Sequence, residues 1–359
     1  MILPPTLKRF KPPRGGGRLG DAEREAVTIR DVARRAGVAV GTVSNYLNGS
    51  APLAEATARR VQRAIDGLGY RVHLAARSLR SRRTQSVGLV LPNISNPFYA
   101  EVARAIEHAL WDRGFQTLLC DSSQDAERER MHLEALESRR VDGILMIRTA
   151  DWRLPRSRLL RPRVPIVFVD RGVAGMPSVT SDNRLGGELA ARHLAELGHR
   201  AIAVLAGENA VGNVRERLHG FRAELARHGV TVAPRHVATG PQAIELGREV
   251  SRWVNGRQRP TAVFATNDIV AIGAWRQLVG MGVRIPADLS LIGFDDIEMS
   301  NLSLPPLTTI RQDKSALGRE ATAVLLQLLA GATPPSRHTL IPPALVVRGS
   351  TGPPPPSRA

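Results

Sequence analysis

Cysteine, lysine and aromatic residues are all scarce in this chain. Cys120 is the single cysteine among 359 residues, which excludes an internal disulfide framework and fits a reducing compartment. Lysine occurs only at Lys8, Lys11 and Lys314, so nearly all of the 50 basic residues are arginine. Genome base composition can produce that bias, so basicity alone identifies no partner. No stretch approaches the roughly 18 uninterrupted apolar residues of a membrane span. The N-terminus lacks an apolar segment between a basic start and a small-residue cleavage site, so no secretory signal is expected. The expected location is therefore the cytoplasm, without a membrane partner.

Catalytic and metal signatures are missing too. The nine histidines include no H-x-x-x-H or H-E-x-x-H pair, and neither G-x-S-x-G nor a P-loop occurs. Gly15, Gly17 and Gly20 match G-x-G-x-x-G, but no strand precedes them, so they are not a dinucleotide fingerprint. No catalytic residue, cofactor or metal is expected.

What is present is concentrated near the N-terminus. Residues 28–48 read as a helix-turn-helix. Thr28 with Asp31 three positions on is an [ST]-x-x-[DE] helix start. Ile29, Val32, Ala33 and Ala36 follow at helical spacing, and Gly37 ends the helix where a left-handed residue costs nothing. A second helix spans about Val40 to Leu47, with Val43 and Leu47 on its inner face. Its outward residues Val40, Gly41, Thr42, Ser44 and Asn45 are free to enter a major groove. A third helix, about Ala54 to Gly67, turns Val61, Ile65 and Leu68 toward the first two. The net charge of +17 gathers here: residues 1–86 hold 17 Lys and Arg against 6 Asp and Glu, as a phosphate-binding module requires.

Beyond Val87 the texture changes. Short apolar runs (VGLVLP, TLLCD, GILMI, PIVFVD) alternate with amphipathic helical stretches. The pattern then repeats through AIAVLAG, a strand near His236–Ala238, AVFAT and LSLIGFD. Buried strands alternating with helices predict parallel sheets covered on both faces. Two such series predict two doubly wound halves, with ligand chemistry at the strands' carboxyl ends.

The helix-turn-helix, the AARSLR connector (75–80) and these two halves resemble, in this order, the LacI/GalR family of bacterial transcription regulators. NISNPFY (93–99), VDG (141–143), VDR (169–171), SDN (181–183), RERLHGF (215–221), ATNDIVAIGA (265–274), DLSLIGFDD (288–296) and PPLTTIRQD (305–313) carry the resemblance, which runs from about Thr28 to Gly349. It implies an α/β fold class: an all-α helix-turn-helix headpiece followed by a two-lobed, periplasmic-binding-protein-like pair of doubly wound parallel sheets. The expected division is a disordered extension (1–26), the headpiece (27–72) and a hinge helix or linker (73–85). Lobe 1 takes 86–183 and 309–336, lobe 2 takes 184–308 and 337–349, and 350–359 form a disordered tail. Chain crossovers are expected near Asn183–Arg184, Pro306–Thr309 and Arg337–Ile341.

By the same resemblance the chain is a ligand-responsive repressor. It binds a palindromic double-stranded DNA operator as a homodimer, with a small-molecule effector, a sugar or sugar derivative, between the lobes. Candidate DNA contacts are Thr28, Val40, Gly41, Thr42, Ser44, Asn45 and Asn48, with Arg77, Leu79 and Arg80 from the hinge, where Leu79 wedges into the minor groove. Asn45 can bind adenine N6 and N7 bidentately where many relatives carry arginine, which implies a shifted operator preference. Ala39 and Ala54 replace capping serines, each at a cost of roughly 0.5–2 kcal/mol. Effector contacts are implied for Phe98, Asp121, Asp170 and Arg171 from lobe 1 and Arg217, Asn267 and Asp295 from lobe 2. Carboxylates and amides suit adjacent hydroxyls, and an aromatic ring suits a sugar's C–H face. Arg217 can fork two hydroxyls or one carboxylate and can equally support a phosphate or a nucleobase, so the ligand class stays open. Capping of a turn near a strand end is the plainer role for each acid. The competing reading is a solute-binding transport component, which has no use for a basic helix-turn-helix.

Overall fold

A computed structural model describes residues 27–48, 51–70, 83–149, 164–207, 212–240, 243–256, 258–334 and 336–356. The extension 1–26 and the hinge residues Arg77, Leu79 and Arg80 lie outside the described residues, as does the side chain of Asn48. The chain divides into two compact units, Met1–Arg80 and Ser81–Ala359.

The first unit is a three-helix cluster: α1 (Ile29–Ala36), α2 (Val40–Asn48) and α3 (Glu55–Leu68). The Asp31 carboxylate accepts the Thr28 backbone N–H at 3.0 Å and the Thr28 hydroxyl at 2.6 Å. Those hydrogen bonds hold its pKa below the usual carboxylate value. Gly37 takes a left-handed conformation, φ 63°, and lets Val38 donate to the Ala33 carbonyl at 3.1 Å, which closes the helix end. Small residues let the helices approach closely: Val32, Ala33, Ala36, Val43, Val61 and Ala64 are all buried. Arg60 of α3 lays its guanidinium over the end of α1, donating to the carbonyls of Ala36 (2.7 and 3.0 Å) and Gly37 (2.8 Å). It thereby satisfies carbonyls that the helix leaves open. The Tyr46 hydroxyl donates to Gln62 at 2.7 Å and ties α2 to α3. Ala54 gives α3 no side-chain cap.

The second unit contains two six-stranded sheets. The first sheet comprises β1 (Ser86–Leu91), β2 (Gln116–Asp121), β3 (Gly143–Met146), β4 (Ile166–Val169), β5 (Ser178–Ser181) and β11 (His338–Ile341). The second comprises β6 (Ile202–Gly207), β7 (Val237–Gly240), β8 (Ala262–Ala265), β9 (Ser290–Asp295), β10 (Thr308–Arg311) and β12 (Ala344–Val346). Their orders are β11-β5-β4-β3-β1-β2 and β12-β10-β9-β8-β6-β7. All described pairings are parallel except β10 with β12. Each half therefore repeats the doubly wound order, with a reversal beside its first strand.

Around the first sheet lie α4 (Pro97–Trp111), α5 (Ala126–Ser138) and α10 (Lys314–Leu329); around the second lie α6 (Asn183–Glu196), α7 (Asn213–Arg227), α8 (Ala243–Asn255) and α9 (Asp268–Gly280). Leu89, Ile106, Leu145, Leu317 and Leu325 are fully buried under one face of the first sheet, and Phe221, Phe264, Phe294 and Ile310 under one face of the second.

The chain crosses between lobes three times. The first crossing follows β5 and leads into α6. The second falls at Gln312–Asp313 rather than Pro306–Thr309, because Thr308–Arg311 pair in register with Ile292–Asp295 of β9. The third falls after Ile341 rather than before it, because His338–Ile341 pair with Ser178–Ser181 of β5. Residues 309–311 thus belong to the second sheet and 338–341 to the first. The expected disordered tail is also corrected over its first residues. Ser350 is fully buried, its hydroxyl donates to the Leu291 carbonyl at 2.5 Å, and it accepts the Thr308 N–H at 2.7 Å. The Gly352 carbonyl accepts from the ring of the buried His199 at 2.9 Å. A proline run cannot form a helix, but the serine and glycine before it supply backbone and hydroxyl groups that complete the sheet's end.

In α6 and α7, a methyl group on Gly187 would overlap the Arg217 carbonyl, and one on Gly220 would overlap the Arg184 carbonyl. Two helices can approach backbone to backbone only without those Cβ atoms. Gly220→Ala is expected to lower the unfolding free energy by roughly 3 kcal/mol, read as a lower urea midpoint. An unchanged midpoint would contradict the close crossing.

Candidate functional site

The carboxyl ends of both sheets face one cavity of about 290 Å³. Each lining side chain follows a strand or starts a helix, so the fold places it there. The loop after β1 leads through Pro92 and Asn93 to Phe98 and Tyr99 at the start of α4. Asp170 and Arg171 follow β4, Asn213 and Arg217 lie in the first turns of α7, Asn267 follows β8, and Asp295 ends β9.

Two of these strand ends are conformationally unusual. Asp170 has φ 64° and Asp295 φ 118°, values that non-glycine residues rarely adopt and that cluster at ligand sites. At Asp170 a three-residue turn, closed by the Arg171 N–H on the Val169 carbonyl at 2.6 Å, points the carboxyl into the gap between the lobes. Its Oδ2 accepts from Asn213 Nδ2 at 2.9 Å, a hydrogen bond from one lobe to the other. Its Oδ1 is buried without a partner among the described residues, as is Arg171 Nε. The other end of the Arg171 guanidinium donates to the Thr149 carbonyl at 2.6 Å. Burial raises the Asp170 pKa, against the pull of Arg171, Arg217 and the Asn213 hydrogen bond. Unsatisfied buried groups are costly, so this pair is suited to a ligand that both donates and accepts hydrogen bonds.

Arg217 organises the opposite wall. Its Nε donates to Asn183 Oδ1 at 2.7 Å and its Nη1 to the Thr266 carbonyl at 2.6 Å. The same nitrogen lies 3.4 Å from Asp295 Oδ1, and the guanidinium carbon sits 3.7 Å from the centre of the Phe294 ring, a cation–π contact. Asp295 also accepts from Gln312 Nε2 at 2.7 Å. Burial pushes the Asp295 pKa up to about 7, helped by nearby Asp268 and opposed by Arg217, Gln312 and Lys314. Asp268 is itself spoken for: it accepts from Thr309 (2.6 Å), Ser300 (2.7 Å) and the Ile297 N–H (3.0 Å). Asn267 uses its Oδ1 to cap α9 through the Val270 N–H at 2.8 Å. Burial also pushes the Tyr99 hydroxyl up to about 12, so it stays protonated as a donor.

Phe98, Asp170, Arg171, Arg217, Asn267 and Asp295 thus meet around one cavity. Asp121 is not among the lining residues. Its carboxylate accepts the N–H groups of Ile94 (2.9 Å) and Ser123 (2.6 Å). Partial burial raises its pKa, but these bonds outweigh that and lower it. It holds the turns that carry lining residues, the plainer of its two expected roles. Asn93, Tyr99, Gln124 and Asn213 also line the cavity and were not anticipated. Asn213 could have been found from its place at the start of a helix that follows a predicted strand.

In the three-helix unit, Val40 is 38% exposed, Gly41 and Asn45 are exposed, and Thr42 and Ser44 are half-buried. A Cβ built on Gly41 meets nothing within 4 Å. The Thr28 hydroxyl is engaged with Asp31. Among the described residues no helix is long and apolar enough to cross a membrane, and no group of three His, Cys, Asp or Glu side chains could hold a metal ion.

Comparison with known proteins bears on both units. Residues 28–72 match the family described as bacterial regulatory proteins, lacI family, and residues 191–351 match a periplasmic binding protein-like domain. The chain is 36% identical over 327 residues to the ribose operon repressor of Escherichia coli strain K12, covering 90% of this chain and 99% of that protein. Its structure resembles the Lac repressor dimer bound to operator and the anti-inducer ONPF, with a TM-score of 0.80, 28% identity and coverage of 91% and 100%. It also resembles the complex of the transcriptional regulator CelR with cellobiose, with a TM-score of 0.67, 31% identity and coverage of 90% and 99%.

The Arg217–Asp295 pair gives a pH-resolved test. With a folded pKa of about 7 against a usual 3.8, Asp295 takes up a proton on folding between those values. Its contribution therefore grows less favourable as pH rises from about 4 to about 7. Removing the guanidinium raises the folded pKa further. Arg217→Ala is expected to cost roughly 3–5 kcal/mol at pH 8. At pH 5 it should cost clearly less, because Asp295 is already protonated in the folded state. Equal losses at both pH values in urea melts would count against the ion pair.

Proposed function

The chain belongs to the LacI family of bacterial regulatory proteins, and from that premise we propose that it is a ligand-responsive, sequence-specific DNA-binding repressor. It binds a palindromic operator as a homodimer and takes a small sugar or sugar derivative between its lobes. The observation that carries the effector half is the pair of buried, unpartnered groups at Asp170 Oδ1 and Arg171 Nε beside the cavity. An alcohol hydroxyl can accept from the guanidinium and donate to the carboxylate at once. The cavity volume of about 290 Å³ falls at the small end for ligand pockets and suits a monosaccharide. Phe98 offers a ring for the sugar's C–H face. The remaining expected contacts, Arg217, Asn267 and Asp295, serve as hydrogen-bonding groups on the second lobe.

The coupling follows from which bonds span the lobes. Asn213 reaches Asp170, and Lys314, at the start of α10, lies 3.3 Å from Glu101 of α4 while donating to the carbonyls of Asp295 and Asp296. A ligand that engages Asp170 and Asp295 together favours the closed arrangement by its differential affinity. Closure then alters the geometry in which a dimer presents its two DNA-binding units, and hence operator affinity. The setting is the cytoplasm, at the nucleoid, and the activity is regulation rather than catalysis.

On DNA, we assign reading to Val40, Gly41, Thr42, Ser44, Asn45 and Asn48, with Thr28 and the hinge residues Arg77, Leu79 and Arg80 completing the contact. Gly41 contributes no side chain, so base discrimination concentrates on Asn45 and the hinge. A mobility-shift assay on the gene's own upstream DNA, with and without candidate sugars, tests the whole reading. A specific shift that one sugar changes supports it, and no specific shift under any condition would sink it. Asn45→Arg is expected to move the preferred half-site from adenine toward guanine at one position, worth about 1–3 kcal/mol of discrimination. Selection from a randomised operator library reads this directly, and an unaltered consensus removes Asn45 from the reading set.

A further inference from the structure

A second groove, about 740 Å³ in volume, adjoins the cavity. Asp170, Arg171 and Asn213 line both spaces, so the two meet at the Asp170–Asn213 hydrogen bond.

Three features of this groove point to one chemistry. The 15-residue helix α7 begins at its edge, with Gly212 as N-cap and no side-chain cap. The first N–H groups of α7 therefore keep their partial positive charge for whatever occupies the groove. Second, Ser181 in the groove wall is 1% exposed, and its hydroxyl has no partner among the described residues. A buried donor left open in this way marks a place where a ligand atom completes the hydrogen bonding. Third, Arg184, Arg215 and Arg337 surround the space. Arg184 is paired with Glu188 at 3.2 Å, and one Arg337 nitrogen donates to the Gly175 carbonyl at 3.1 Å. Arg215 is exposed and has no ion pair among the described residues. Of the acids that line the groove besides Asp170, Asp182 spends its carboxylate on the cap of α6, accepting the Leu185 N–H at 2.9 Å. Glu216 is the remaining one: it is exposed to water, which screens its charge, and partial desolvation raises its pKa.

We propose that the groove takes an anionic substituent, a phosphate or a carboxylate, of the same ligand whose hydroxyl-bearing ring fills the cavity, so that the effector is an acidic sugar derivative rather than a neutral sugar. This rests on the cavity being the effector site. The division of labour fits the two linings: the cavity balances acids against arginines and amides, while the groove adds a helix N-terminus, a spare hydroxyl and three arginines. A guanidinium can fork either a phosphate or a carboxylate, so the two sources share one recognition chemistry.

Isothermal titration of the full-length protein with matched sets separates the outcomes. The sets are D-ribose with ribose 5-phosphate and D-riburonate, and D-glucose with glucose 6-phosphate and D-glucuronate, all of which keep a closed ring. One charged member is expected to bind at least about tenfold tighter than its neutral parent, and phosphate against carboxylate identifies the anion. In Arg215→Gln combined with Arg337→Gln that ratio should fall to about one, and Arg215→Glu alone should lower it as well, a check on the double variant. A neutral sugar that binds as tightly as both of its charged derivatives overturns the inference while leaving the effector reading intact. A ratio unaffected by all the arginine variants also overturns it, since the anion then sits elsewhere. If no member of either set binds, the sugar reading falls and the inference with it.

Discussion

The second unit is arranged around one buried cation. Arg217 sits almost out of contact with water, 6% exposed at its side chain, and a guanidinium in that position is tolerable only if its donors are met. Asn183, the Thr266 carbonyl and Asp295 meet them, and Phe294 covers its face. These partners come from the start of α6, the end of β8 and the end of β9. One side chain therefore fixes the residue that follows the first chain crossover against two strand ends of the second lobe. It can reach them only because α6 and α7 cross with Gly187 and Gly220 against the facing carbonyls. The glycines, the cation and the strained Asp295 are one constraint expressed at three levels.

That constraint explains how the sequence could be read and where reading stopped. Strands with continuous apolar runs, such as β1, β3, β6 and β9, stood out because both faces of a parallel sheet are covered. β5 did not. Its residues Ser178, Thr180 and Ser181 are polar, yet they are buried between β4 and β11. The two later crossovers were misjudged for a related reason. Short strands such as β10 and β11 carry no pattern of their own and are defined by their pairing with distant segments. The ordered stretch around Ser350 escaped notice because composition describes what a segment cannot form, not what it can dock against.

The candidate cavity was legible mainly where chemistry and position coincide. Acids and amides following predicted strands lie where a doubly wound fold puts its ligand, which agrees with the family resemblance that implies Asp170, Asn267 and Asp295. Asp121 satisfies the same rule and still lies outside the lining, because its carboxylate meets local N–H groups before any ligand. Position at a strand end is thus a sign rather than proof. The decisive quantity is the hydrogen-bond balance: Asp121 has two backbone donors within 3 Å, whereas Asp170 keeps an oxygen in reserve. No sequence displays that balance.

The DNA-reading side carries the opposite imbalance. Its scaffold is closely tied: Thr28 with Asp31 caps α1, the Gly37 turn ends it, Arg60 joins α3 to that end, and Tyr46 with Gln62 joins α2 to α3. Its outward face is sparse, since Gly41 leaves open space where a base-contacting side chain could stand. A rigid frame with few reading groups binds phosphate well and discriminates bases weakly, because phosphate contacts carry no sequence information. Specificity must then come from whatever else holds two such units at a defined spacing. On the proposed reading that falls to Asn45, to the hinge residues Arg77, Leu79 and Arg80, and to the pairing of two such units in a dimer, so an effector that changes the pairing changes operator affinity.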